Sequence, residues 1–204
     1  MVLKRYGYVA VALLAGCATL SDSELNQRTV DTMKSSFKAH GEAKLDRLNQ
    51  DEMQALCSRV PGSAPLGKAE EERILSTQKA TIRYPADGKY LGSWRAGEKI
   101  AQSGRGKQYS DDPKQPSGGN CYACHQLTKE EISYGTMGPS LYHFGKLRGY
   151  GEDMQKYAYG KVYNPDAYAA CSNMPRFGYH GVLTEQQIKD VVALLMDPQS
   201  PVNK

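Results

Sequence analysis

Two cysteines and a histidine, Cys121, Cys124 and His125, lie within five positions of a 204-residue chain that has only 5 cysteines and 4 histidines. At the start of a helix, side chains three positions apart lie on the same face, so both thiols can reach one group. The adjacent imidazole adds a nitrogen donor of the kind that binds transition metals. These residue types at this spacing predict a site for a metal or for a metal-containing cofactor.

The pattern Cys-x-x-Cys-His is the attachment sequence of c-type haem, in which the thiols bond to the porphyrin and the histidine binds iron. We therefore predict that Cys121 and Cys124 hold one haem c and that His125 is an axial ligand. A structural zinc site is an alternative, but it needs four ligands and the sequence has no second Cys-x-x-Cys pair. A thioredoxin-like redox pair would follow a strand, whereas a polar loop precedes Cys121. Chance occurrence of the pattern is the remaining alternative.

The residue at the sixth position of the iron separates electron carriers from haem proteins that bind peroxide or oxygen. The candidates are Met137, Met154, Met174, Met196, His143 and His180. Met174 is the predicted ligand because it follows the motif by about fifty residues, which is enough chain to reach the other haem face. Pro175 also fixes the backbone beside it. His180 is the main alternative, Met154 and Met196 fit predicted helices, and His143 is interpreted as structural.

The orientation of His125 should depend on a second contact. An axial histidine commonly donates its other ring N–H to a carbonyl group, which orients the ring and strengthens its donation to the metal. The stretch "MGPSL" supplies a rigid Gly138-Pro139 turn shortly after the motif. We predict that the carbonyl of Pro139 accepts this hydrogen bond.

The amino terminus, "MVLKRYGYVAVALLAGCATL", has two basic residues followed by a short apolar run. This is the pattern of a secretory signal peptide, and the run is too short to span a membrane. Residues 1–16 are therefore predicted to be a signal peptide, and the protein is expected in the periplasm. Residues 14–17 resemble the lipobox of bacterial lipoproteins, which implies a lipid anchor at Cys17. Cleavage a residue or two later and a buried helix are the alternatives.

The net charge of +4 falls to about +2 once Lys4 and Arg5 leave with the signal peptide. This excess is too small to indicate nucleic-acid binding.

Cys57 and Cys171 are left over in an exported protein, where an oxidising compartment makes a disulfide the simplest pairing. Two free or separately partnered thiols are the alternative.

Helical spacing of apolar residues predicts the elements of the first part of the chain. The stretch 21–60 has this spacing and is interrupted near Gly41, and a second helix is expected over residues 68–79. We therefore interpret residues 17–90 as a mainly helical extension. We also expect this extension to dock a partner.

Residues 91–204 are the predicted domain that carries the motif. A helix of roughly three turns should begin after Ser93, which is a typical capping residue. A final helix should begin after Thr184, where Gln187 completes a capping box, and should end before Pro198.

A helix, the Cys-x-x-Cys-His motif, a Gly-Pro turn, a Met-Pro loop and a capped last helix together resemble a class I cytochrome c, from about residue 91 to residue 198. The resemblance implies an all-α fold in which the first and last helices cross. Gly97 is the expected contact point in the first of them.

The stretches "TIRYPADGKYLGSW", "GGNCYACHQL", "EEISYGTMGPSLYHFGKLRG" and "CSNMPRFG" are similar to the SoxX family, the smaller haem subunits of the SoxAX complexes of bacterial sulfur oxidation. The resemblance implies a heterodimer with SoxA, whose own haem has a cysteine-derived ligand. It implies the activity of L-cysteine S-thiosulfotransferase, which joins thiosulfate oxidatively to a cysteine of the carrier SoxYZ. This chain would accept the electrons and pass them to a downstream acceptor, with no substrate chemistry of its own. The lipobox departs from the family pattern.

Two other functions stay open from the residues alone. One is a free periplasmic electron carrier, and the other is a haem enzyme or gas sensor in which Met174 leaves the iron. The cations Lys146, Arg148, Lys161 and Arg176 are either solvated surface groups or groups that steer anions or an acidic partner surface.

Overall fold

The computed structural model describes residues 20–58 and 65–204, so the predicted signal peptide and Cys17 lie outside the described residues. The regular structure of the described ranges is helical, with one isolated bridge between His40 and Ala43 and no named strand. This confirms the all-α fold class. The α-helices are α1 (Asp22–Ser36), α2 (Glu52–Cys57), α3 (Lys68–Ala80), α4 (Trp94–Gln102), α5 (Phe144–Arg148), α6 (Glu152–Tyr163) and α7 (Glu185–Met196). Short 3-10 turns lie at Leu45–Leu48, Cys121–Ala123, Pro165–Ala167 and Pro201–Asn203.

The described residues 20–37 belong to a unit of their own, which contains α1. Ser21 caps this helix, because its hydroxyl accepts from the amide of Glu24 while the Glu24 carboxylate accepts from the amide of Ser21. None of the residues of α1 is buried. Local capping and helix propensity therefore account for this helix.

The second unit begins at Lys38 and contains α2 to α7. Its most extensive helix packing is the crossing of α4 and α7. A Cβ atom added to Gly97 would overlap the backbone oxygen of Asp190, so the helices approach closely only because residue 97 is glycine. The predicted crossing and the predicted contact at Gly97 are both confirmed.

The ends of these two helices are fixed by the predicted caps. The Ser93 hydroxyl accepts from the amide of Ala96, and Thr184 and Gln187 form the expected capping box. The carboxylate of Asp190 accepts from the amide of Ser93 at 2.8 Å, which ties the start of α4 to the middle of α7. The apolar side chains of Ile188, Val192 and Leu194 on α7 are fully buried.

Residues of the predicted extension pack within the second unit. Helix α3 matches the expected helix at residues 68–79 and contacts the 3-10 turn Pro165–Ala167. Gly41 has a φ of +52° in a non-helical stretch between α1 and α2, which confirms the predicted interruption. The extension is thus in direct contact with the part of the chain that follows α6.

Across the described ranges, helices are either too short or too polar to cross a lipid bilayer.

Candidate haem-binding site

The attachment motif begins where the chain returns to the carboxyl end of α4. The amide of Gly119 donates to the oxygen of Ile100, and the amide of Asn120 donates to the oxygen of Ser103, both at 2.9 Å. A Cβ atom on Gly118 would overlap the side chain of Ser103, so this approach requires glycine. The end of α4 therefore sets the position of the first cysteine.

The motif itself forms one 3-10 turn, which is shorter than the helix start that the sequence predicts. The amides of Cys124 and His125 donate to the oxygen of Cys121 at 3.1 and 2.9 Å. The helix stops here because the carbonyl of Cys124 accepts instead from the amide of Gly138, at 2.8 Å. The carbonyl of Tyr122 likewise accepts from the amide of Gly135. The loop 135–139 thus lies directly on the motif.

This loop fixes the imidazole of His125. The ring Nδ1–H donates to the carbonyl oxygen of Pro139 at 2.7 Å, which is the acceptor named from the sequence. The bond leaves the lone pair of Nε2 as the donor for a metal. A Cβ atom on Gly138 would overlap the imidazole ring, so glycine allows the ring to approach the loop backbone closely.

The two thiols of the motif are free, and Cys121 packs against the hydrophobic core. Burial raises the pKa of the Cys121 thiol to about 12. A redox-active cysteine pair needs a lowered thiol pKa, so this environment argues against the thioredoxin-like alternative. The described residues also contain no group of three or more His, Cys, Asp or Glu side chains that could hold a metal ion. The donor set of two thiols three positions apart and one oriented imidazole fits a haem c.

The predicted sixth ligand, Met174, lies on the loop between α6 and α7. Its half-buried side chain packs against the same core cluster as Cys121. Its amide donates to the hydroxyl of Ser172 at 3.2 Å, and the amide of Ser172 donates to the buried carboxylate of Asp166 at 2.8 Å. Burial raises the pKa of Asp166. Backbone hydrogen bonds therefore hold this loop on a buried acidic side chain.

A disulfide joins Cys57 to Cys171, at a Cα–Cα distance of 5.4 Å and a sequence separation of 114. It confirms the predicted pairing and connects α2 to the loop that carries Met174. Cys171 has a φ of +58°, so the chain makes a sharp left-handed turn at the bridge.

Arg176 corrects one sequence interpretation. We expected a solvated or anion-steering group, but its side chain is only 4% exposed. Its Nη2 lies 2.7 Å from Oδ2 of Asp51, and its Nε lies 3.9 Å from Oδ2 of Asp166. Both surface roles are therefore wrong, because this guanidinium is buried and is paired with two carboxylates from other segments.

The other three candidate cations differ among themselves. Lys146 and Arg148 are exposed, so both alternatives remain open for them. Lys161 is half-buried, its Nζ donates to the oxygen of Pro165 at 3.4 Å, and burial lowers its pKa. The ammonium group of Lys161 is therefore engaged in a hydrogen bond within the protein.

The other candidate axial ligands have different environments. Met196 is 1% exposed in the core of α7, and Met154 packs against the core from α6. His143 Nε2–H donates to the oxygen of Lys204, which agrees with a structural role. His180 is exposed in a turn beside Tyr179, and Met137 is 73% exposed.

Two polar residues of the extension that contact the Met174 loop were not among the residues predicted from the sequence. They are Asp51, which pairs with Arg176, and Gln78, which is buried and accepts from Arg176 and Asn164. The capping pattern Asp51-x-x-Gln54 was a visible signal for the start of α2. No local pattern indicated the ion pair, whose partners are 125 positions apart.

Two comparisons place this site among known proteins. The family model for cytochrome c matches residues 96–197, which include the motif, the Met174 loop and α7. A protein of Aquifex aeolicus (strain VF5) named "Uncharacterized lipoprotein" is 43% identical over 160 residues, which cover 76% of this chain and 73% of that protein. Because this similarity is longer than the span matched by the family model, it reaches beyond residues 96–197.

Proposed function

The chain belongs to the cytochrome c family, whose members are electron-carrier proteins with covalently bound haem c. On that premise, we propose that this chain is the smaller haem subunit of a SoxAX-type complex. The observation that carries the proposal is the SoxX-like stretch "TIRYPADGKYLGSW" at residues 81–94. This stretch lies ahead of the span that the general cytochrome c model matches. A family feature outside the common domain favours a specific subunit over a general carrier.

We propose that His125 and Met174 are the axial ligands of the iron and that Cys121 and Cys124 carry the thioether bonds. When bound, the haem supplies a metal centre that gains or loses one electron. His125 keeps its proton on Nδ1, directed at Pro139, so that Nε2 can donate to iron. Met174 offers a thioether, a soft ligand that raises the reduction potential.

The proposed ligand pair sets the direction of electron transfer. A thiolate ligand on the partner haem favours the oxidised iron, whereas a thioether favours the reduced iron. Electrons released when SoxA joins thiosulfate to the SoxYZ cysteine would therefore move to this chain, and from it to a downstream acceptor. The side chains described here then have only to bind, orient and insulate the cofactor.

We also propose that the protein is exported and anchored to a membrane through a lipid on Cys17. The lipobox-like residues 14–17 support this, together with the name of the Aquifex aeolicus relative, which calls that protein a lipoprotein. Lipidation would keep the complex at the membrane surface.

Affinity purification of the natively expressed chain tests the complex directly. We expect a second haem subunit to co-purify in a one-to-one ratio, and we expect the haem of this chain to be reduced when thiosulfate and SoxYZ are added to the purified complex. Omission of SoxYZ is the control. A monomer that no thiosulfate-dependent reaction reduces would instead support the free electron carrier.

A further inference from the structure

We propose that the extension acts as a clamp on the loop that carries Met174, with Arg176 and Asp51 as positioning residues that keep the Met174 sulfur at the iron. The clamp is defined as α2 and α3 together with Asp51. The inference rests on the proposed role of Met174 as an axial ligand. It assigns to the extension a function within this chain, in addition to the partner docking expected from the sequence.

Helix α2 holds the Met174 loop on both sides of the ligand. Its last residue, Cys57, is bonded to Cys171, three positions before Met174. Its capping residue, Asp51, is paired at 2.7 Å with Arg176, two positions after Met174. One six-residue helix therefore brackets the ligand with a covalent bond and an ion pair.

The carboxylate of Asp51 has two separate tasks. Its Oδ1 accepts from the amide of Gln54 at 2.8 Å and so caps α2, while its Oδ2 pairs with Arg176. The position of the loop is thus linked to the start of the helix through one side chain. Since the pair is largely shielded on the arginine side, water competes weakly for Arg176.

Helix α3 adds a third connection. The side-chain oxygen of Gln78 accepts from Nη1 of Arg176 at 3.4 Å and from Nδ2 of Asn164 at 3.0 Å. Asn164 is fully buried at the end of α6, just before the loop begins. Both ends of the segment 164–176 therefore contact the same side chain of the extension.

These contacts favour the position of the loop in which Arg176 is neutralised. Movement of Met174 away from the iron would carry Arg176 away from Asp51, and a buried guanidinium without its carboxylate is strongly unfavourable. The clamp should therefore lower the population of molecules in which the sixth position is open. An added ligand that replaces Met174 binds in proportion to that population.

Imidazole titration of the oxidised holoprotein measures this population. Asp51→Asn keeps a good capping residue but removes the charge that pairs with Arg176. We expect the apparent affinity for imidazole to rise by about tenfold, as expected for the loss of a hydrogen bond between charged groups. Glu52→Gln is the matched control, because Glu52 lies on the same helix and its carboxylate pairs with the exposed Arg73. Its affinity should stay within about twofold of the wild type.

Two further variants distinguish a failure of the clamp from a failure of the proposed iron ligand. Arg176→Lys retains the buried charge but loses the planar fork of donors, and we expect it to raise the imidazole affinity in the same direction. In a Met174→Ala background, Asp51→Asn should have no effect, since no iron–sulfur bond remains to be released. If wild type and Met174→Ala bind imidazole equally, the proposed ligand is wrong. If Met174→Ala binds more tightly than wild type while neither Asp51→Asn nor Arg176→Lys changes the affinity, the ligand stands and the clamp is refuted.

Discussion

Loss of the Cys57–Cys171 disulfide should strongly destabilise the protein. We consider the double substitution Cys57→Ser and Cys171→Ser, which removes the bridge without leaving a free thiol. The bridge spans 114 positions, and chain-entropy arguments for a loop of this length give about 5 kcal/mol of stabilisation. Helix α2 has only 6 residues, so it cannot persist alone and depends on this anchor. A loss of about 3–5 kcal/mol in the free energy of unfolding is therefore expected.

Urea unfolding of the oxidised holoprotein measures this loss. Trp94 is the single tryptophan and lies at the start of α4, so its fluorescence reports whether the α4–α7 crossing is intact. Glu52→Gln, on the same short helix, is the control and should change the unfolding free energy by less than about 1 kcal/mol. An unfolding free energy of the double serine variant within about 1 kcal/mol of wild type would show that the bridge does not constrain the chain as described.

Three other predictions concern single side chains. Gly97→Ala places a Cβ into Asp190 and should destabilise the fold by about 1–3 kcal/mol in thermal unfolding. Gly104→Ala is the control and should cost far less, because its Cβ meets only one atom, at 3.9 Å. Equal losses of stability in the two variants would contradict the close crossing of α4 and α7. Gly138→Ala pushes the His125 ring off Pro139 and should lower the fraction of chains with a low-spin haem spectrum, while Gly151→Ala, with open space around it, should not. Burial alone would raise the pKa of Asp51, but hydrogen bonds from the amide of Gln54 and from Arg176 lower it below the usual aspartate value. The ionised carboxylate therefore stabilises the folded state fully above the usual aspartate pKa, and this stabilisation is lost as the pH falls through the lowered pKa. The stability gap between wild type and Asp51→Asn should therefore close on acidification, and a gap that stays constant with pH would rule out the ionised pair.

Local rules predicted the helical frame from the sequence. Ser93, Thr184 and Gln187 act as caps because short polar side chains satisfy free amides at helix starts, and this depends only on neighbouring residues. The disulfide was also accessible, since only Cys57 and Cys171 remained after the attachment motif and the signal region were assigned. Gly97 followed from the resemblance to a known fold.

The environment of Arg176 could not be predicted in this way. Its partners are Asp51, which caps α2, and Gln78, which lies in α3. Nothing in the spacing of a sequence shows which distant carboxylate will neutralise a given arginine. The short turn at the attachment motif also depends on contacts between distant parts of the chain. The carbonyls of Tyr122 and Cys124 are taken by the amides of a loop that comes back from residues 135–138. Tertiary hydrogen bonds, which local sequence patterns do not encode, therefore determine both the environment of Arg176 and the length of the turn at the motif.

Absorption spectroscopy of the isolated oxidised protein tests the central claim, that His125 and Met174 together saturate the iron. A weak far-red charge-transfer band marks sulfur bonded to ferric haem iron. We predict that the band is present in the wild type, unchanged in Met137→Ala, and absent in Met174→Ala. We also predict that the reduced wild type keeps its visible spectrum under carbon monoxide. A band that survives in Met174→Ala, or a wild type that binds carbon monoxide at rest, would contradict the account.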